Sequence, residues 1–175
     1  RWTKPLQFDR NLIVIGAGAA GLVAAYVAAA TRARVTLIEN HQMGGDCLNY
    51  GCVPSKALIR SATFLKQAQN SRSLGIAHAN VHYNFSDVMA RVQRVVKTVE
   101  PHDSIARYTG LGVEVVQGDA RITSLWSVEV NGQTLTTRAI VIATGARPVV
   151  PKIPGLEAVR FYTSDTIWAL TERPE

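Results

Sequence analysis

Two hydrophobic rhythms run along this chain. Leu12-Ile13-Val14-Ile15 is a short β-branched block of the kind that forms a buried strand. Gly16-Ala17-Gly18 interrupts it, and the alanine-rich stretch that follows predicts a helix. Arg34-Val35-Thr36-Leu37-Ile38 predicts a second strand, ending in Glu39. From Phe85 to about Tyr108, Val88, Val92, Val95, Val96 and Val99 recur at helical spacing and predict one amphipathic scaffold helix without chemistry. Gly112-Val113-Glu114-Val115-Val116 predicts a strand running into Gly118-Asp119-Ala120. Trp126 to Thr137 predicts a hairpin through Asn131-Gly132, a favoured two-residue turn. Ala139 to Ala143 predicts a buried strand leading into Thr144-Gly145. Pro151 and Pro154 suit an extended exit, and Thr163-Ser164-Asp165-Thr166 suits a helix cap. Together these elements predict an α/β fold: a parallel sheet, flanking helices and a small antiparallel β-meander.

Nineteen consecutive positions, Leu12 to Ala30, carry no charge, which is long enough to raise a membrane span. The run changes from strand-like to helix-like at two glycines, and it lacks the basic start and cleavage site of a signal segment. Strand, turn and helix is the better reading, and a cytoplasmic location is expected. The chain of 175 residues is 47% hydrophobic and 18% charged, enough apolar material for a real core. Its net charge of +6 raises nucleic-acid binding. The basic residues, Arg32, Lys56, Arg94 and Arg121 among them, are scattered rather than blocked, which suits a solvated surface around an anionic cofactor instead.

Gly16-Ala17-Gly18-Ala19-Ala20-Gly21 is G-x-G-x-x-G in its required context, a strand before it and a helix after. Gly16 makes the tight turn, Gly18 lets a pyrophosphate approach the backbone, and Gly21 lets helix and strand pack closely. The amides of Ala19 and Ala20 then sit at a helix N-terminus, where the dipole favours an anion. Glu39 lies eighteen residues beyond Gly21, about where an acid that accepts from a ribose 2′-hydroxyl belongs. The motif alone does not choose between FAD and NAD.

The only two cysteines, Cys47 and Cys52, lie in Gly44-Gly45-Asp46-Cys47-Leu48-Asn49-Tyr50-Gly51-Cys52-Val53-Pro54-Ser55-Lys56. Five residues of regular α-helix climb about 7.5 Å, whereas a disulfide needs Cα atoms within about 7 Å. The pair closes only where the helix is interrupted between them. Pro54 suits a first helical turn and so puts Cys52 at or near a helix N-terminus, where the dipole favours an anionic sulfur. Three uses of the pair stay open on these grounds: redox chemistry, a structural disulfide, and zinc with His41, His78, His82 or His102, whose spacing is not that of ligands.

The segment Gly44 to Lys56 resembles the active-site signature of the class I pyridine nucleotide–disulfide oxidoreductases, the family of dihydrolipoamide dehydrogenase, glutathione reductase and mercuric reductase. The Ser55-Lys56 pairing is closer to dihydrolipoamide dehydrogenase and mercuric reductase, while Asp46 departs from the threonine or serine common there. The resemblance implies a Rossmann-like FAD-binding domain in which Cys52 lies against the flavin and Cys47 exchanges with substrate, the two forming the redox-active disulfide. It implies that Gly45 and Lys56 adjoin the cofactor, that Gly118 and Ala120 meet its adenine end, and that Thr144 and Gly145 form a second FAD fingerprint. No metal site is implied.

It further implies that residues 1–150 are the first segment of the FAD domain. Residues 151–175 would be an exit segment with a helix leading to a missing NAD(P)-binding domain. A homodimer is expected of the whole enzyme, with a small-molecule or protein dithiol/disulfide, or a metal ion, as substrate. NAD(P)H would act through the missing domain, and residues 1–175 alone would bind FAD weakly and turn over nothing. The competing readings are a flavoenzyme of another type and a non-catalytic dinucleotide-binding module.

Overall fold

A computed structural model describes residues 2–174 of the chain. The uncharged run resolves into strand β1 (Arg10–Ile15) and helix α1 (Ala19–Ala30), and β2 (Val35–Glu39) follows. A short helix α2 (Gly45–Asn49) and a long helix α3 (Cys52–Gln69) come next, then α4 (Phe85–Val99) and α5 (Ile105–Gly110). Strands β3 (Val113–Gln117), β4 (Arg121–Ser124), β5 (Ser127–Val130) and β6 (Gln133–Ile142) complete the regular structure. No helix among the described residues is long and apolar enough to cross a membrane.

The strands form one six-stranded sheet in the order β3-β2-β1-β6-β5-β4. β3, β2, β1 and β6 are parallel, with Leu12 opposite Val35 on one side and Ala139 on the other. β4, β5 and the first half of β6 are antiparallel. The fold is thus the expected Rossmann-like α/β arrangement with a meander. Val14, Leu37, Val35 and Val113 pack with Leu22 and Ala25 of α1 and Tyr108 of α5. A separate cluster joins Ile13 and Ile38 to Val128, Val130 and Leu135 of the meander. Successive strand residues point to opposite faces, so Ile13 and Val14 of β1, and Leu37 and Ile38 of β2, feed different clusters.

Three expectations are corrected. The helix predicted from Phe85 to Tyr108 is two helices, separated by a 3-10 turn over Glu100–Asp103. Pro101 lies in that turn, where its ring and missing N–H end the α-helix. Ser104 then caps α5, its hydroxyl accepting from the Arg107 amide at 3.3 Å. The hairpin and the strand expected after it share one continuous strand, β6, whose two halves pair with different partners. After Thr163–Thr166 comes a single 3-10 turn, Ile167–Ala169, instead of a helix. Cap-like bonds are present there, the Thr163 amide donating to Thr166 Oγ1 at 2.9 Å. A helix so short gains too few internal bonds to persist, and the Trp168 carbonyl accepts from the Gln93 side chain at 3.0 Å.

The contacts divide the chain into two units. One runs to Cys47 and resumes over Glu100–Ala146, so it contains the whole sheet; the other comprises Leu48–Val99 and the chain from Arg147 onward. In the first unit the starts of three parallel strands are tied by charge. Arg10 Nη2 donates to Glu114 Oε2 at 2.6 Å, and the hydroxyl of fully buried Thr36 donates to the same carboxylate. The Thr36 bond and the Arg10 guanidinium hold the Glu114 carboxyl below its ordinary range. Asp9 is lowered likewise, by the amide and then the hydroxyl of Thr136.

Both carboxyls have depressed folded pKa values, so their contribution is fully present above the ordinary carboxylate range, about pH 4. It is lost as pH falls through the lowered values. The thermal midpoint is expected to be flat from neutrality down to about pH 5 and to fall below about pH 4. Glu114→Gln should soften that fall and cost only about 0.5 kcal/mol at neutral pH, because the carboxylate is half exposed.

Candidate functional site

The site begins where the parallel strands end. The chain passes from β1 to β2 on one side and returns to β1 from the other as β6, so the carboxyl ends of β1 and β6 flank the crossover point at which such sheets bind ligands. Gly16 turns there with φ +102°, and a Cβ on it would lie 2.2 Å from the Ala143 carbonyl oxygen and 3.1 Å from Thr144 Cα. Gly21 is required for packing: its Cβ would lie 1.8 Å from the Gly16 carbonyl oxygen. Both glycines do what the sequence predicts.

Gly18 differs from both. It caps α1 at an ordinary φ of −79°, and a Cβ there would meet only Gly45 Cα, at 3.8 Å. The fold itself does not demand glycine at this position. The missing side chain instead leaves the crest of the turn open beside the exposed residues Ala19 and Ala20, whose helix end has no side-chain cap and no acidic residue in its first turn. Uncapped amides at a helix N-terminus, with backbone reachable from outside, form a seat for a phosphate-type anion.

Glu39 reaches back to this crest. Its carboxylate accepts from the Ala17 amide at 2.6 Å and from the His41 amide at 2.8 Å. Ionised carboxylates offer about four lone-pair positions, so Glu39 keeps acceptor capacity for a ribose hydroxyl. Its own carbonyl accepts from the Gly118 amide at 2.9 Å, which brings the loop after β3 beside the end of β2. Asn40 donates to Asp119 across the same gap at 2.8 Å. Half-buried Ala120 packs on the meander cluster, so its side chain serves the core. Thr144 and Gly145 follow β6 on the exposed surface, Gly145 with φ +70°.

Asn131 was foreseen only as a turn residue. Asn131 and Gly132 do form the β5–β6 turn, with φ +50° and +75°. The Asn131 side chain also donates to the Gln117 carbonyl at 2.9 Å and fills the space a Gly118 side chain would need. Asparagine in a hairpin turn already has a local reason, so nothing along the chain signals this second contact.

The cysteine segment joins the crest through its two leading glycines. The Gly44 amide donates to the Ala17 carbonyl at 2.9 Å. Gly45, at φ +52°, opens α2 so close to Gly18 that a Cβ would lie 2.6 Å from Gly18 Cα. Cys47, half-buried, comes two residues later in the same unit. α2 ends at Asn49, Gly51 caps the next helix outside helical geometry, and exposed Cys52 is the first residue of α3. The interruption expected between the cysteines is present, and Pro54 is buried in the first turn of α3. The Ser55 hydroxyl donates to the Cys52 carbonyl at 3.2 Å, and Lys56 is exposed.

Fold and crest define an α/β domain of the dinucleotide-binding type, with a cysteine pair in the segment that follows its second strand and touches the glycine turn through Gly44 and Gly45. The chain belongs to the pyridine nucleotide-disulphide oxidoreductase family, whose profile matches residues 10–175. It is 32% identical over 167 residues to a mercuric reductase of Staphylococcus aureus, covering 95% of this chain and 30% of that protein. It is 40% identical over 145 residues to a dihydrolipoyl dehydrogenase of Geobacillus stearothermophilus, covering 81% and 31%. A solved structure, the HOCl-induced flavoprotein disulfide reductase RclA of Escherichia coli, superposes with a TM-score of 0.73 at 29% identity, covering 93% of this chain and 34% of that one. The chain spans about a third of the length of these relatives.

Proposed function

We propose that this chain is the FAD-binding portion of a disulfide oxidoreductase whose redox pair is Cys47 and Cys52. The observation that carries this reading is the approach of Gly45 to Gly18, which starts the cysteine-bearing helix directly against the open phosphate-binding crest. The residues fit FAD. The Ala19 and Ala20 amides would hold the pyrophosphate, with Gly16, Gly18 and Gly21 shaping the turn. Glu39 would accept from the ribose, and backbone at Gly118 and Ala120 would border the adenine end. Gly45, Lys56, Thr144 and Gly145 would line the rest. When bound, FAD supplies two-electron exchange between NAD(P)H and the sulfur pair.

The protein's own part is thiol chemistry. Two electrons entering the disulfide at Cys52 leave Cys47 as a thiolate. Cys47 attacks an acceptor disulfide, forms a mixed disulfide and releases one thiolate. Cys52 then attacks Cys47, releases the second thiolate and restores the Cys47–Cys52 bond. A dithiol donor drives the same steps in reverse. We infer an acceptor that is a small-molecule or protein disulfide, or a metal ion, and a homodimeric whole enzyme with NAD(P)H bound by a further domain. We infer a cytoplasmic location, a reducing compartment in which a dithiol couple of this kind is maintained. Replacing Cys52 by serine in the full-length protein tests the reading: disulfide reduction stops while flavin stays bound, and turnover at the unmodified rate refutes it.

A further inference from the structure

The two cysteine-bearing helices are joined by Tyr50 and Gly51, and this link is held by a residue 118 positions away. Trp168 Nε1 donates to the Tyr50 carbonyl at 2.6 Å. Trp168 lies in the 3-10 turn Ile167–Ala169, half-buried, and its own carbonyl accepts from Gln93 Nε2 of α4 at 3.0 Å. The segment leading to it is tied down in turn. The Asp165 amide donates to Thr163 Oγ1, and the Asp165 carboxylate meets Arg147 at 3.5 Å. α4 is fixed to α3 by Arg91, which donates to the Ala57 carbonyl at 2.8 Å. Gln93, Trp168 and the Tyr50 carbonyl therefore form a continuous tether, all within one unit, from a scaffold helix to the link before Cys52.

We propose that Trp168 is a positioning residue for the redox pair: its indole N–H holds the link between α2 and α3 in the interrupted geometry that disulfide closure requires. The inference rests on the redox reading of Cys47 and Cys52. Its physical basis is chain entropy. An unbroken helix holds the two Cα atoms too far apart to bridge, so closure selects the broken form of the link. A tethered link has already lost the freedom that closure would otherwise remove; an untethered one loses it on oxidation. Removing the indole N–H therefore shifts the couple toward the dithiol.

The test uses the full-length, flavin-loaded protein with Trp168→Phe, which keeps an aromatic ring but lacks the donor. The protein is equilibrated with glutathione buffers, protein disulfide plus two glutathione thiols exchanging with protein dithiol plus glutathione disulfide. Cys47 and Cys52 are then alkylated and counted. One hydrogen bond's worth of tethering predicts an equilibrium about fivefold further toward dithiol, a potential about 20 mV less negative. The maximal rate with a disulfide acceptor should fall by a similar factor, while the KM for NAD(P)H and the flavin content hold. Gln93→Ala, which loosens the outer anchor, should move the couple the same way by about twofold. An unchanged couple in both variants, with a normal couple in the unmodified protein, overturns the tether alone. Absence of any Cys47–Cys52 couple in the unmodified protein overturns the tether and the redox reading together.

Discussion

Gly16→Ala is expected to destabilise the protein by about 3 kcal/mol and to abolish flavin retention. Two costs add. A side chain at φ +102° sits in a backbone region L-residues avoid, worth roughly 1–2 kcal/mol. The new methyl would also lie 2.2 Å from the Ala143 carbonyl oxygen and 2.7 Å from its carbon. Both atoms are backbone at the end of a strand paired in register with β1. Neither can move aside without opening the ladder, so overpacking adds about 1–3 kcal/mol. Gly18→Ala supplies the contrast. Its methyl meets only Gly45 Cα at 3.8 Å, so the thermal midpoint should shift by no more than a few degrees. Flavin affinity should nevertheless fall at least about tenfold, because the methyl occupies the approach to the pyrophosphate seat. Thermal unfolding together with flavin absorbance after desalting separates the two variants. Normal flavin binding by Gly18→Ala would contradict the assignment of the crest.

Cys52→Ser in the full-length protein should lower NAD(P)H-dependent disulfide reduction at least about a thousandfold, the scale on which loss of an obligatory covalent partner acts. Serine keeps the shape of the side chain with a smaller atom that forms no disulfide, and Cys52 is exposed at the start of α3, so the substitution leaves little packing to lose. Flavin content and flavin reduction by NAD(P)H should persist. Cys47→Ser should stop turnover to the same degree, because the resolving attack needs both sulfurs. A purely structural disulfide predicts the opposite pattern, lower thermal stability with activity intact. A flavin oxidase predicts oxygen-dependent turnover that both variants retain. Steady-state rates with and without a disulfide acceptor distinguish these outcomes.

The glycine turn and the break between α2 and α3 were legible along the chain because their signals are local. Gly16, Gly18 and Gly21 sit within six residues of one another between a β-branched block and an alanine-rich one. Cys47 and Cys52 frame a helix break that Gly51 and Pro54 announce. Non-local pairing was much less legible. β4 escaped notice because Arg121-Ile122-Thr123-Ser124 is short and mostly polar. It is a strand because β5 lies beside it, Arg121 meeting Glu129 at 2.8 Å. β6 looked like two elements because its apolar character changes near Arg138, where it passes from the meander to the parallel sheet.

The break between α4 and α5 did have local signals, Pro101 and the capping Ser104, which the valine period ending at Val99 overshadowed. Gly45 was assigned to the cofactor, while its most immediate role is steric, letting α2 start against Gly18. The tether from Trp168 to Tyr50 spans 118 positions and follows from no periodicity at all. Contacts of that separation are decided by the packed fold, not by the pattern of any one segment.

Anaerobic reductive titration of the full-length, flavin-loaded protein bears on the central claim most directly, because it counts redox centres. The account predicts uptake of about four electron equivalents per chain, two by flavin and two by the sulfur pair, with Cys52→Ser accepting about two. Uptake of only about two equivalents by the unmodified protein would contradict it, leaving a flavin-binding fold whose cysteines take no part in electron transfer.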